Sequence, residues 1–388
     1  VVDEENTVGA MTQERGIDLQ QTECRKVAIV VSHLAPAFGM ERVALQTAEL
    51  LGANYEVEVV CIGGSQSDRE LYPEARILGG PLRGWRRVTS LWRLFKFSGQ
   101  LETDVVLLTG VWVALPWLMV VRRNRFAVLV WEHSLLSKRV ASSLQMRVLA
   151  CGARLFYRRS DAVVAVSEPL RRDIAALARS SQVVTIPNFV ETPLDADLPL
   201  SRPRVRGDSI RLITVGSLTA IKSQEIVIRA LSLLEDKYTL TIVGAGPRED
   251  NLRELSQSLG LGPRIRFAGF LGPDELKHEM ISADLMVHCA VVETFGLVYV
   301  EAANHGLPVI STSNDVAEEM IPAFVPGWTC AASPSGVAEE IKARASAKIE
   351  KALIYKSAQR RRATFSSNSV ANKWAEVFSA LTSPARSL

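Results

Sequence analysis

The sequence predicts an α/β protein of two doubly wound, Rossmann-like domains facing a central cleft. Three observations carry this reading. From Lys26 onward, short and nearly continuous apolar runs alternate with helical patterns, the signature of parallel strands covered on both faces. The rhythm breaks at a stretch holding Pro193, Pro199 and Pro203 and then restarts. The 388 residues are also enough for two cores of ordinary size. Ligands of such sheets bind beyond the carboxyl ends of the strands, so a cleft between the halves is the expected site.

Residues 1–24 carry six acids against one base and show no periodicity. They are expected to form a mobile tail, and they lack the basic-then-apolar pattern of a signal peptide. The first domain is expected over 25–191. Strands are read at 27–31, 57–62, 105–108, 127–130 and 162–166, with a helix at 41–51. The stretch 105–121 is nearly all apolar but holds Gly110 and Pro116. It falls short of the roughly 20 residues a membrane span needs, so it reads as a buried strand followed by a helix. A linker is expected at 192–207. The second domain, 208–365, repeats the rhythm: strands at 210–215, 238–243, 264–267, 285–287 and 308–310, and a helix at 224–234. A last helix in 366–388 is expected to cross back to the first domain.

Hydrophobic residues make up 47% and charged residues 22% of the chain, which is globular composition. The net charge of +3 is too small to suggest nucleic-acid binding, although 25–192 alone holds 22 Lys/Arg against 14 Asp/Glu. The five cysteines are dispersed and never form C-x-x-C. That argues against a disulfide framework or a structural zinc site and fits a cytoplasmic protein.

The densest chemical signal is Glu293-Thr294-Phe295-Gly296-Leu297-Val298-Tyr299-Val300-Glu301, followed by Gly306 and Pro308. An apolar strand precedes it, and the residues after Gly296 read as a helix ending near Gly306. Glu293 then lies in the loop after the strand and Glu301 about one turn into the helix. The helix N-terminus between them suits phosphate, and a nearby carboxylate can accept both hydroxyls of a ribose. Lys222, just beyond Val215-Gly216-Ser217-Leu218, is placed to neutralise a diphosphate. Gly244-Ala245-Gly246 begins like a dinucleotide fingerprint, but Glu249 stands where the third glycine is required. It reads instead as a turn that permits close backbone approach. Asp195-Ala196-Asp197 matches the letters of a metal-binding D-x-D motif but sits in the linker, so no metal is expected.

These segments resemble, in order and spacing, the donor-binding half of the retaining glycosyltransferases of the large family-four group, which have the GT-B architecture. The carrying motifs are Val215-Gly216-Ser217-Leu218 with Lys222, Ile242 to Pro247, Phe267-Ala268-Gly269-Phe270, and 293–310. In the first half, Gly39-Met40-Glu41-Arg42, Trp131-Glu132-His133, Ala165-Val166-Ser167 and Ile186-Pro187-Asn188 agree. The resemblance implies transfer of a sugar from a nucleotide-diphosphate sugar, UDP- or GDP-linked, to an acceptor hydroxyl, with retention and no cofactor. Position by position it puts Lys222, with Ser217 and Gly246 nearby, at the diphosphate and Glu301 at the ribose. Glu293 and the Phe295, Gly296 and Leu297 backbone fall at the transferred sugar, Phe270 near the base. Gly39, Met40 and Arg42 fall in the acceptor and phosphate loop, and His133 at the reacting centre. The family commonly has arginine where Ser217 stands, and often a second glycine where Phe38 stands.

His33 is a weaker candidate than His133, while His288 and His305 read as packing or surface residues. The segment 82–97 mixes five Arg/Lys with four aromatics. It reads either as a surface for anionic lipid, on the inner face of a membrane, or as a helix with its aromatics in the core. The acceptor is then a glycan, a lipid-linked glycan or a small molecule. A GT-B sugar-nucleotide epimerase and a non-catalytic nucleotide-sugar-binding protein are the alternative classes.

Overall fold

The computed structural model describes residues 24–34, 39–64, 66–79, 93–121, 125–139, 144–178, 182–198, 209–345, 347 and 349–382. Two sheets organise it. The first contains β1 (Lys26–Val31), β2 (Glu56–Cys61), β3 (Arg76–Ile77), β4 (Val105–Thr109), β5 (Ala127–Glu132), β6 (Ala162–Ala165) and β7 (Val183–Thr185) in the order β3-β2-β1-β4-β5-β6-β7. The second contains β8 (Ile210–Val215), β9 (Tyr238–Val243), β10 (Ile265–Gly269), β11 (Leu285–His288), β12 (Val309–Thr312) and β13 (Gly327–Cys330) in the order β10-β9-β8-β11-β12-β13. β1 pairs in parallel with β2 and β4, and every pairing of the second sheet is parallel. The expected strands are all present; β3, β7 and β13 are additions at or near sheet edges. They are short or lack a continuous apolar run (Val183-Val184-Thr185 is half-buried), so they carry little hydrophobic signal.

By contacts the chain forms two compact units. One takes the described residues up to Thr109, with Met119–Leu129 and those from Ala371 onward; the other takes Gly110–Leu118 and Val130–Val370. In the first unit Phe378, from the Ser367–Thr382 helix, meets Tyr55 edge to face at 5.3 Å. The apolar stretch 105–121 resolves as expected into β4 and the helix Val111–Val120. No helix among the described residues is long and apolar enough to cross a membrane.

The second sheet shows why its site lies where it does. On β9, Tyr238, Leu240 and Ile242 enter a core with Leu212, Val227, Ile228, Leu231 and Ile341, while Thr239 and Thr241 point away. This packing anchors the helices Gln224–Leu231 and Pro334–Arg344 against one face. Strand order reverses between β8 and β11, and the loops leaving their carboxyl ends are free to diverge and hold a ligand.

Candidate active site

The loop after β8 and the loop after β11 meet at Lys222 and Glu293. Lys222 closes a 3-10 turn, Ala220–Lys222, and is followed by Ser223 at φ 49°. A left-handed serine costs about 1–3 kcal/mol. Here its hydroxyl donates to the Ala220 carbonyl at 3.1 Å, and the reversal starts the next helix at Gln224 while leaving Lys222 at the turn's tip. Val291 N donates to the Ile221 carbonyl at 2.9 Å, tying the two loops together. The Lys222 ammonium donates to Glu293 Oε2 at 2.7 Å, with the two side chains 18% and 10% exposed.

Glu293 has two more partners. Its own loop supplies Thr294 N, which donates to Oε1 at 3.0 Å. His288, the last residue of β11, places Nε2 3.3 Å from Oε2 and packs its ring edge-on against Tyr299 at 5.1 Å. Burial alone would raise the Glu293 carboxyl, but the charge of Lys222 and the contact with His288 outweigh it, so the pKa lies well below the usual carboxylate range. His288 is driven down, first by burial and then by Lys222, against the pull of Glu293. His288 is thus buried and packed, as one of its two sequence readings has it, and in addition lies within reach of the Glu293 carboxylate.

Gly296 stands at φ 81°, directly before the helix Leu297–Asn304. A Cβ there would come within 2.4 Å of the Tyr299 ring, so both conformation and space require glycine. Tyr299 in turn shares a 2.9 Å hydrogen bond with Ser311 on β12. Phe295 is buried, with its ring edge-on to Phe365 at 5.3 Å, so its backbone is the part that faces the site. Glu301 is half-buried one turn into the helix. The helix stops at Asn304, just before Gly306 at φ 64°, as the sequence predicts. Phe270 is 65% exposed at the end of β10.

The glycines of the 244–246 turn serve the chain itself. A Cβ on Gly244 would lie 2.1 Å from the Gly216 carbonyl, and one on Gly246 2.5 Å from the Leu218 carbonyl. The close approach expected there is thus between two turns of the same sheet. Leu218 N donates to Ala245 O at 3.0 Å, and Arg248 N to Leu218 O at 3.1 Å. Ser217 is exposed, and its carbonyl accepts from Gln224 Nε2 at 3.0 Å. Arg248 is engaged by Glu225 at 3.1 Å.

In the same unit, His133 follows β5. Its backbone N–H and that of Ser134 both donate to Glu132 Oε1, at 2.9 and 2.8 Å. The imidazole lies 4.6 Å from the Trp131 ring, and Nε2 is enclosed with no hydrogen-bond partner among the described residues. Burial pushes its pKa down to about 3, so the ring is neutral at pH 7. Ser167, after β6, donates from its hydroxyl to the Thr294 carbonyl at 2.6 Å.

The first unit holds the third group of predicted residues. Gly39 and Met40 open the helix Gly39–Gly52 instead of lying in a loop before it; residues 35–38, Phe38 among them, lie outside the described residues. Arg42 is half-buried. His33 Nε2 lies 3.1 Å from Glu41 Oε1, and its Nδ1 2.7 Å from Ser32 Oγ. Burial raises the Glu41 carboxyl, with His33 opposing. The sequence carries no signal for this pair, because it joins a residue beyond a strand to one in the first turn of the next helix.

Asp195 of the D-x-D look-alike is occupied by Arg362, which also donates to the Pro193 carbonyl at 2.6 Å. Among the described residues no three His, Cys, Asp or Glu side chains group so as to hold a metal.

Comparison with known proteins bears on the family and the fold. The model of group 1 glycosyl transferases matches residues 201–361, and that of glycosyltransferase family 4 matches 38–193. The chain belongs to the family-four glycosyltransferases. Relatives in this family include an uncharacterized glycosyltransferase of Methanocaldococcus jannaschii, 31% identical over 190 residues, which are 45% of this chain and 48% of the relative. A GDP-mannose-dependent alpha-(1-6)-phosphatidylinositol monomannoside mannosyltransferase of Mycolicibacterium smegmatis is 30% identical over 178 residues, 42% of this chain and 47% of that protein. The chain thus spans about half the length of these curated relatives. Among solved structures, an Anabaena protein in complex with UDP and glucose superposes with a TM-score of 0.73 at 19% identity, covering 92% of this chain and all of that one. The sucrose-phosphate synthase of Thermosynechococcus elongatus gives 0.76 at 19% identity, over 92% and 99%. The family-four fold is therefore GT-B.

Proposed function

We propose that this protein is a retaining hexosyltransferase that moves a sugar from a UDP- or GDP-linked donor to an acceptor hydroxyl without a metal. The observation that carries the reading is the Lys222–Glu293 pair at the strand-order reversal, 2.7 Å long and nearly buried. It lies beside a helix that begins at a left-handed glycine. A flexible ammonium can leave its carboxylate for a ligand's diphosphate, a more highly charged partner. In sugar transfer, negative charge grows on the leaving phosphate as the anomeric carbon becomes oxocarbenium-like. Lys222 and the N–H groups at the start of Leu297–Asn304 stabilise that charge, which is where such sites gain most of their rate.

In this reading Glu293 stays ionised and serves the transferred sugar as a binding and electrostatic group, with His288 and Thr294 N holding its carboxylate in place. Glu301 takes the ribose diol, the exposed Phe270 lies against the base, and the Gly39, Met40 and Arg42 segment serves phosphate and acceptor. His133, neutral and with Nε2 unshared, accepts a hydrogen bond from the reacting groups. Several relatives are named for lipid-borne acceptors, such as the mycobacterial phosphatidylinositol monomannoside enzyme, which favours a lipid-linked acceptor over a soluble glycan.

Incubation with a panel of nucleotide sugars, followed by proton NMR of the anomeric signal, tests the reading. Release of sugar or product with the donor's own anomeric configuration supports it. Epimerised donor, inverted product, or donor binding with no turnover across the panel would remove it.

A further inference from the structure

One face of the second sheet is polar where its position predicts an apolar one. β9 is an interior strand, flanked by β8 and β10, and interior strands of parallel sheets are ordinarily apolar on both faces. In the first sheet β4 keeps that rule, with every residue apolar or buried. β9 breaks it: Tyr238, Leu240 and Ile242 enter the core, while Thr239 and Thr241 lie half-buried on the other side. The register sets an arginine next to each threonine. Arg211 of β8 stands beside Thr239, and Arg266 of β10 beside Thr241. Leu212, Ile265 and Phe267 pack on the core side, so strand alternation turns both arginines to the face of the threonines. There the sheet floors an open cavity of 420 Å³, walled by Glu279 and Ser282 of the helix Pro273–Ser282 and by Pro263 and Arg264 just before β10. That volume is in the range of small-molecule sites. Of the other basic cluster, 82–97, residues 82–92 lie outside the described residues, Phe97 is buried and Phe95 is exposed.

Hydrogen-bond donors dominate the cavity. Arg264 is committed to the chain, donating to the carbonyls of Tyr238, Leu231, Leu234 and Glu235. The other two guanidinium groups are held at one nitrogen each. Arg211 Nε lies 3.3 Å from Asp284, and Arg266 Nη2 meets Glu279 and, at 3.2 Å, the Thr241 hydroxyl. Each fork keeps further N–H groups with no protein partner among the described residues. We propose that this cavity binds the phosphate of a small phosphorylated sugar or polyol. The two forks rise on either side of β9, with neighbouring strands roughly 5 Å apart, and can converge on one oxyanion. A phosphate monoester offers three terminal oxygens and accepts from both forks, whereas the two oxygens of a carboxylate are matched by one. Glu279 meets Arg266 through Oε2, which leaves Oε1 to accept a hydroxyl of the ligand's body. The cavity runs along the amino-terminal halves of β8, β9 and β10. Lys222 and Glu293 lie beyond the carboxyl ends of β8 and β11, so this ligand is neither the donor nor the acceptor of sugar transfer. The site does not rest on the transfer reading.

The test is isothermal titration of the full chain with the monophosphates of glycerol, ribose and glucose, each esterified at a primary hydroxyl. Inorganic phosphate, free ribose and glucuronate are the comparison ligands. Saturable binding is expected for at least one of the esters, weaker binding for inorganic phosphate and glucuronate, and none for ribose. Arg211→Met and Arg266→Met are each expected to lower the affinity at least about tenfold. Thr239→Val, which keeps the side chain's shape and touches neither ion pair, is expected to lower it about threefold and keeps the test open if an arginine variant fails to fold. Lys222→Ala is expected to leave it unchanged, and saturating nucleoside diphosphate is expected not to compete. Thermal melts confirm that each variant is folded. Absence of binding for all three esters at millimolar concentration, glucuronate binding as tightly as the esters, or a loss in Lys222→Ala equal to that in the arginine variants would overturn the proposal.

Discussion

Glu132 ends β5 and Glu293 lies in the loop after β11; both are shielded from water, and both follow a run of apolar residues. Their partners separate them. Glu132 takes donors that belong to the fold: the N–H groups of the next two residues, and the hydroxyl of the fully buried Tyr157. These donors cannot be handed to a ligand without unfolding the turn that carries His133. Glu293 also takes one backbone donor, Thr294 N–H, and the buried His288 imidazole, but its charged partner is the flexible ammonium of Lys222. An acid held only by donors of the fold is an anchor, whereas an acid paired with a mobile ammonium marks a place where an anion can enter.

Changes at the two sites should therefore fail in different ways. The largest effect is expected from Lys222→Ala, which removes the positive charge facing the leaving phosphate. Release of nucleoside diphosphate from the donor should fall at least about a hundredfold, read by a coupled assay. Next comes Glu132→Ala, which leaves two backbone donors and a buried hydroxyl unpaired. It should cost about 2–4 kcal/mol of stability, seen in denaturant unfolding.

A pH series tests the histidines beside the two acids. His133 is pushed to about 3, below its ordinary 6.5, and the unfolded chain takes up that proton first. Its contribution to stability is thus complete above pH 6.5 and is lost as the pH falls toward 3. Glu293, also depressed, loses its share only below its ordinary 4.5. His133→Asn should then reduce the stability lost between pH 7 and pH 4.5 by roughly 2 kcal/mol. The smallest effect is expected at Phe270, whose exposed ring is placed for a base. Phe270→Ala should raise the donor KM about fivefold with kcat unchanged.

Much of the second sheet and its loops was legible because the physics there is local. Apolar runs mark β8, β9, β11 and β12, Gly296 can occupy φ 81°, and Lys222 and Glu293 each follow a strand end by a short loop. The remainder depends on how separate loops and elements are placed together. That His288 would turn toward Glu293 depended on where Val215, Lys222 and Tyr299 lie around it. That Gly244 and Gly246 pack on the Gly216 and Leu218 carbonyls required two loops to be placed together. The His33–Glu41 pair joins a strand end to a helix start in the same way. Ser217 remains the departure that matters most, and Arg248, beside the Gly246 turn, is bound to Glu225.

The most direct test replaces each acid with its neutral isostere and measures donor turnover and melting temperature together. Gln keeps the shape and the acceptor oxygen that the His133 and Ser134 N–H groups need, so Glu132→Gln should retain at least about a third of the turnover. Glu293→Gln removes the charge that orders Lys222 and faces the sugar, and should lose at least about a hundredfold while the protein stays folded. Equal losses in the two variants, or near-normal turnover in Glu293→Gln, would contradict the account.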